Sequence, residues 1–352
     1  MSDKRSTISV LDVSPNCATI PRKLRRVGGD LVRRAFLILL ILLPALLAAC
    51  ARPTPRPGPE AEALPALSPT PLGAGERLRV VATTTIVGDV VARVGGDAME
   101  LMVLLPPGAD PHTYEPTPAD LTAVARAHVL FVNGLGLEGL LERTLRNVGD
   151  VPVVRVSAGI QPRHLEEHEG KESHAHGEAD PHVWLDVRNV LVWVENIRQA
   201  LSALDPAHAE QYAANAAAYR AELEALDAWI LEQVARVPPQ NRKLVTNHPA
   251  FGYFADRYGF EQVAAVYPIS PGAEPSAREI AKLEETIRRF GVPAVFAETT
   301  VNPKLAEQVA RDTGVRLVTL YTGSLGRPGS GAETYVAMMR YNVRAIVEAL
   351  SE

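Results

Sequence analysis

Cysteine is almost absent from this 352-residue chain, which carries only Cys17 and Cys50. A disulfide scaffold is thereby excluded. Excess positive charge is also missing, with 36 Lys plus Arg against 41 Asp plus Glu. Binding driven by nucleic-acid phosphates has no surface to use, so nucleic acid is not a partner. The longest apolar run, Ala35 to Ala49, has 15 residues, short of the roughly 20 that span a bilayer as a helix. No repeat of solenoid or propeller length is present. What remains is a chain with 47% hydrophobic residues, enough to bury the cores of about two domains without covalent staples.

The apolar run follows Arg22, Lys23, Arg25, Arg26, Arg33 and Arg34 and ends in Leu47-Ala48-Ala49-Cys50. A basic segment, a short apolar segment and small residues before a cleavage point make a signal peptide over 1–49. Its end resembles a bacterial lipobox. That implies lipid on Cys50 and a location outside the cytoplasm, anchored to the outer face of the membrane. A signal anchor with an unmodified Cys50 is the alternative, and Arg33-Arg34-Ala35-Phe36-Leu37 also resembles a twin-arginine export signal. Eight basic and three acidic residues lie in 1–49, so the exported chain keeps 28 and 38, a net charge of −10. From Ala51 to Gly75 seven prolines occur in 25 residues. This composition predicts an unpacked, semi-stiff tether over 50–76, with folding starting at 77.

From Leu78 onward, β-branched runs alternate with helical patterns. Strands are predicted at 80–85, 101–105, 129–132 and 151–156, separated by helices at 87–95, 118–127 and 138–147. A second series places strands at 244–246, 263–266, 294–297 and 317–320 among helices near 250–258, 276–290, 303–313 and 333–350. Such alternation predicts parallel α/β sheets, whose ligands sit beyond the carboxyl ends of the strands. Between the series, 206–236 has no Pro or Gly after Pro206 and reads as one long helix. The predicted organisation is an N-terminal α/β lobe over 77–205, a rigid linking helix over 206–236 that limits hinge opening, and a C-terminal α/β lobe over 237–352.

Nine histidines divide unevenly. His128 and His208 read as surface or partly packed residues. His112, His182 and His248 stand beside prolines, in Asp110-Pro111-His112, Asp180-Pro181-His182 and Asn247-His248-Pro249. Neutral imidazole is the commonest metal ligand, and an adjacent proline restricts the backbone that carries it. Their wide spacing excludes a zinc finger or a His-Glu-x-x-His helix, so a shared site would have to be assembled by the fold. Spacing alone leaves open whether these rings meet or merely satisfy turns. His164, His168, His174 and His176 lie among acidic residues in a loop without bulky apolar side chains. That stretch reads as a solvated, accessory metal-collecting loop or a soluble spacer.

Asp110-Pro111-His112-Thr113-Tyr114-Glu115-Pro116, Asp180-Pro181-His182-Val183-Trp184-Leu185-Asp186, Asn247-His248-Pro249-Ala250-Phe251-Gly252-Tyr253-Phe254 and Tyr335-Val336-Ala337-Met338-Met339-Arg340-Tyr341-Asn342 together resemble the metal-specific solute-binding lipoproteins of bacterial ABC transporters, the TroA- and ZnuA-like family. The resemblance covers 77–352. It implies two parallel-sheet α/β lobes joined by one long helix, with the metal in the cleft between them. It carries ligand roles onto His112, His182 and His248, and it implies a monomer that serves a membrane permease and its ATPase. The family often places an Asp in a Tyr-x-Asp-Ser-Leu-like segment as fourth ligand, where this chain has Tyr321-Thr322-Gly323-Ser324-Leu325. Water, the loop or Glu298 must then fill the fourth place, and Glu298 is the expected ligand, a carboxylate capping the next helix being its alternative role.

Three imidazoles with at most one carboxylate suit Zn²⁺, whereas Mn²⁺ favours oxygen-rich shells. The predicted function is capture of zinc for import, with manganese or iron as alternative cargo of the same type of protein. A surface adhesin with a structural metal is a further reading. A zinc hydrolase, which would need Glu298 as general base, is the weakest, since the chain has no hydrolase signature.

Overall fold

The computed structural model describes residues 63–139, 141, 144, 150–164, 179–267 and 275–351. The predicted signal peptide, Cys50, most of the predicted helix at 138–147, and His168, His174 and His176 lie outside the described residues.

The first sheet contains β1 (Leu78–Ala82), β2 (Met99–Val103), β3 (Val129–Val132) and β4 (Val153–Arg155) in the order β2-β1-β3-β4. The second contains β5 (Lys243–Thr246), β6 (Glu261–Ala265), β7 (Ala294–Glu298) and β8 (Arg316–Leu320) in the order β6-β5-β7-β8. All pairings are parallel. The central strands β3 and β7 are buried throughout, as expected of parallel strands covered on both faces. Each sheet reverses its strand order beside its first strand, which places a switch point between β1 and β3 and another between β5 and β7.

The helices are α1 (Thr85–Gly95), α2 (Pro118–Arg126), α3 (Val187–Leu204), α4 (Ala209–Val234), α5 (Gly252–Tyr258), α6 (Ala277–Phe290), α7 (Lys304–Thr313) and α8 (Tyr335–Leu350). Local chemistry sets several of their starts. Thr84 caps α1 by accepting from the Val87 N–H, which ends the predicted first strand at Ala82 instead of Thr85. Capping boxes at Thr117/Asp120 and Ser276/Glu279 open α2 and α6.

The linking helix is α4, preceded by a short 3-10 turn over Pro206–His208. Its 26 residues span about 39 Å. It packs on α1 and α3 of the first lobe and on α5 and α8 of the second. Missing from the sequence reading is α3, whose buried Val187, Val190, Trp193, Val194, Ile197, Leu201 and Leu204 follow helical spacing and join the shared core, where α3 packs on α4 and α1. One hydrophobic cluster runs from Leu78 and Val80 in the first sheet through Trp193, Tyr219 and Leu226 to Leu244, Phe296 and Met338 in the second lobe. The outer faces of the sheets carry separate clusters.

The expectation of an unpacked tether up to residue 76 is corrected for its described part. Leu64, Leu67 and Leu72 lie against the shared core, and the Thr70 N–H donates to the Leu204 carbonyl at 2.8 Å. Half-buried positions fall at 64, 67, 70 and 72 between exposed neighbours, the first three at a period of three. Proline-rich backbone favours the three-residue turn of polyproline II, so leucines at that spacing share one face and can dock.

Candidate metal centre

The Asp-Pro-His sequence builds the same turn twice. In each, an aspartate oxygen accepts the backbone N–H of the histidine two residues on, at 3.0 Å for Asp110/His112 and 3.0 Å for Asp180/His182. The first turn lies between β2 and α2, held by the Tyr114 hydroxyl, which donates to Asp120 of the α2 capping box at 2.8 Å. The second precedes a 3-10 turn, Val183–Leu185, and the Asn133 amide at the end of β3 donates to the Pro181 carbonyl at 3.1 Å. His248 follows β5 at the switch point of the second sheet, where the Thr246 hydroxyl donates to its carbonyl.

These loops bring three rings together. His182 Nε2 lies 3.1 Å from His112 Nε2 and 3.1 Å from His248 Nε2, and the donor atoms of all three fall within 4.8 Å of one another. Two imidazole nitrogens on a tetrahedral zinc ion are about 3.3 Å apart, given bonds of 2.0–2.1 Å. The cluster therefore has the dimensions of a single-ion site. Among the described residues it is the one group of His, Cys, Asp and Glu so arranged.

Behind two of the rings stands a carboxylate. Asp180 Oδ1 is 2.8 Å from His182 Nδ1, and Glu298 Oε1 is 2.9 Å from His248 Nδ1. Both carboxylates are buried. An acceptor at Nδ1 fixes the tautomer that leaves Nε2 free as a lone-pair donor. Glu298, at the end of β7, also accepts the His248 backbone N–H and the Thr322 hydroxyl. The structure thus brings Glu298 to the site but sets it behind His248, outside the group of facing donor atoms. At Gly323, beside Thr322, a Cβ would come 3.0 Å from Pro111 Cδ and 3.3 Å from the Thr300 hydroxyl, so the bare backbone fits closely under the His112 turn.

The rings differ electrostatically. Burial, reinforced by the two neighbouring rings, holds His112 down at about 3. Burial also lowers His182, against the pull of Asp180. At His248 burial opposes protonation, but the Glu298 carboxylate outweighs it and lifts the ring above its ordinary value. Glu298 is drawn down in turn, its burial outweighed by His248 and by hydrogen bonds.

His164 lies at the surface, in an antiparallel bridge to Ala179, outside the ring cluster. His128 accepts the Arg79 backbone N–H and His208 pairs with Asp205, both structural roles as expected.

The zinc-uptake complex component A periplasmic (ZnuA) family matches residues 80–349. The chain belongs to this family of metal-binding ABC-transporter substrate-binding proteins. Manganese-binding lipoprotein MntA of Halalkalibacterium halodurans is 41% identical over 279 residues, which cover 79% of this chain and 90% of MntA. Iron-binding protein YfeA of Yersinia pestis is 36% identical over 283 residues, 80% of this chain and 89% of YfeA. The structure of the periplasmic zinc-binding protein TroA of Treponema pallidum superposes with a TM-score of 0.72 at 30% identity, covering 79% of this chain and all of TroA. The ZnuA family consists of substrate-binding proteins and not enzymes, which removes the hydrolase reading. The two-lobed parallel α/β architecture expected from the sequence is the family's own. Among the described residues no helix is long and apolar enough to cross a membrane.

Proposed function

We propose that this protein captures Zn²⁺ outside the cytoplasm through His112, His182 and His248 and delivers it to an ABC permease driven by a separate ATPase. The observation that carries the reading is the convergence of three Nε2 atoms from separate loops. The donor set supports zinc: the nearby carboxylates Asp180 and Glu298 are spent on Nδ1 atoms, which leaves nitrogen facing the ion. Glu298 then acts as a positioning residue for His248, and the fourth place falls to water or another exogenous ligand. Cys50 is the proposed lipid attachment point, and His164 with the histidines beyond it the proposed accessory collecting loop.

Manganese is the second reading, favoured by the likeness to MntA. Nitrogen sites prefer zinc over manganese whatever their biological cargo. Native mass spectrometry of the protein loaded from mixed zinc and manganese, paired with cellular uptake of each ion, tests the choice. Zinc in the protein and zinc-dependent uptake are expected; manganese in both would replace the zinc reading.

A further inference from the structure

Arg163 belongs to the first lobe but reaches across to the second. Its Nε donates to Asp256 Oδ2 on α5 at 2.6 Å, and a terminal nitrogen lies 3.4 Å from Asp180 Oδ2. Main-chain bonds fix the base of this reach. The Arg163 N–H donates to the Tyr253 hydroxyl at 2.9 Å, that hydroxyl donates to the Asp180 carbonyl at 2.9 Å, and the Asp180 N–H returns to the Arg163 carbonyl at 2.8 Å. Asp180 has no exposed surface, and its other carboxylate oxygen holds His182 Nδ1. A continuous line of contacts thus runs Asp256, Arg163, Asp180, His182, from the exposed side of one lobe to a ring of the centre.

Gly252, the first residue of α5, makes room for it. A Cβ there would fall 1.8 Å from a guanidinium nitrogen, 2.7 Å from Cζ and 3.0 Å from Asp180 Oδ2. Gly252 is not among the positive-φ glycines, so space and not backbone freedom explains the residue. A buried carboxylate whose other partners, a backbone N–H and a neutral imidazole, carry no charge is costly, and an oriented guanidinium is the group that offsets the charge while fixing the plane of the carboxylate.

We propose that Arg163 is a positioning residue for metal capture. It locks the Asp180 carboxylate, and through it the His182 ring, and it ties that lock to the contact between the lobes through Asp256. Gly252 is the vacancy that admits it. The proposal rests on the three-histidine reading above.

The test is a double-mutant cycle in the full mature chain with Arg163→Ala, Gly252→Ala and the pair. Zinc affinity is measured by chelator competition, the visible spectrum of bound Co²⁺ reports ligand geometry, and apo melting curves report folding separately. Each single change is expected to weaken zinc about tenfold, the range of outer-shell losses. The pair should lose clearly less than the sum of the two single losses, because Gly252→Ala then has no guanidinium left to displace and keeps only the 3.0 Å approach of its Cβ to Asp180 Oδ2. The cobalt bands should shift in both single variants, and Arg163→Lys should recover part of the affinity. Asp256→Asn, altered at the exposed end, should show the same spectral shift with a smaller loss and covers the case in which Arg163→Ala does not fold. Additive losses, or single variants with parental affinity and spectrum, overturn the proposal while leaving the three-histidine reading intact. Unchanged zinc affinity in His182→Ala overturns both.

Discussion

Glu298 Oε1 sits 2.9 Å from Nδ1 of His248, on the opposite side of the imidazole from the nitrogen that faces His182. A carboxylate at Nδ1 orients the ring and raises its basicity. Glu298→Gln keeps the shape and removes the charge. Zinc affinity should fall about 10- to 100-fold, less than the loss from His248→Ala, with the protein still folded. Chelator competition measures both; a Glu298→Gln loss equal to or beyond that of His248→Ala would mean that Glu298 is itself a ligand.

The pH response follows from opposite shifts at two rings. Only neutral imidazole binds metal, and His248 is the ring raised above 6.5. Below its folded value each ion should displace about one proton, so apparent affinity falls about tenfold per pH unit, while His112, at about 3, competes little. For the apo protein, the raised His248 contributes stability that is full below 6.5 and lost as pH rises through its folded value. His112 does the reverse, with a cost absent above 6.5 that grows as pH falls toward about 3. Apo stability should therefore peak near neutrality, whereas the gain from zinc should keep rising on the alkaline side. Melting curves with and without zinc, and calorimetry in two buffers of different ionisation enthalpy, check the two signs.

Chelation should leave a folded protein. The cluster that spans both sheets is built from buried apolar side chains and needs no ion. The apo form should melt cooperatively with unchanged far-ultraviolet circular dichroism, below the zinc-loaded form by the amount that ligand linkage dictates. An unfolded apo state would favour a structural metal in a surface adhesin over cargo.

Removing residues 63–76 should destabilise the protein. The docked Leu64, Leu67 and Leu72 are half buried, and at ~25 cal/mol per Å² their burial contributes about 1–3 kcal/mol in all. Urea unfolding of chains starting at 63 and at 77 measures the difference. Equal midpoints would show that the segment adds nothing.

Much of the fold was legible because βα alternation and the helix-forming stretch before β5 are local signals. Among the described residues the predicted strands and helices lie within a few residues of those observed, the Thr84 cap shifting one boundary, whereas α3 was not predicted. The three histidines were legible as proline-flanked residues, but their convergence depends on how separate loops cross the cleft, and the family resemblance supplied that. Glu298 was found and its place was not, since a residue at a strand end can face the ion or the back of its ligand with equal ease. Arg163 and Gly252 carried no signal at all: a guanidinium that passes over a glycine 89 positions later along the chain leaves no pattern in sequence. The docked leucines were hidden by proline, whose three-residue period matches neither helix nor strand.

His112 is only partly buried, while His182 and His248 are deep. It is the least buried of the three rings, so solvent reaches this imidazole most readily. With Trp184 donating to the Thr322 carbonyl and Tyr335 to the Trp184 carbonyl, the walls are stitched together beneath the mouth. Those two bonds join Trp184 of the first lobe to Thr322 and Tyr335 of the second, so any parting of the lobes would have to break both.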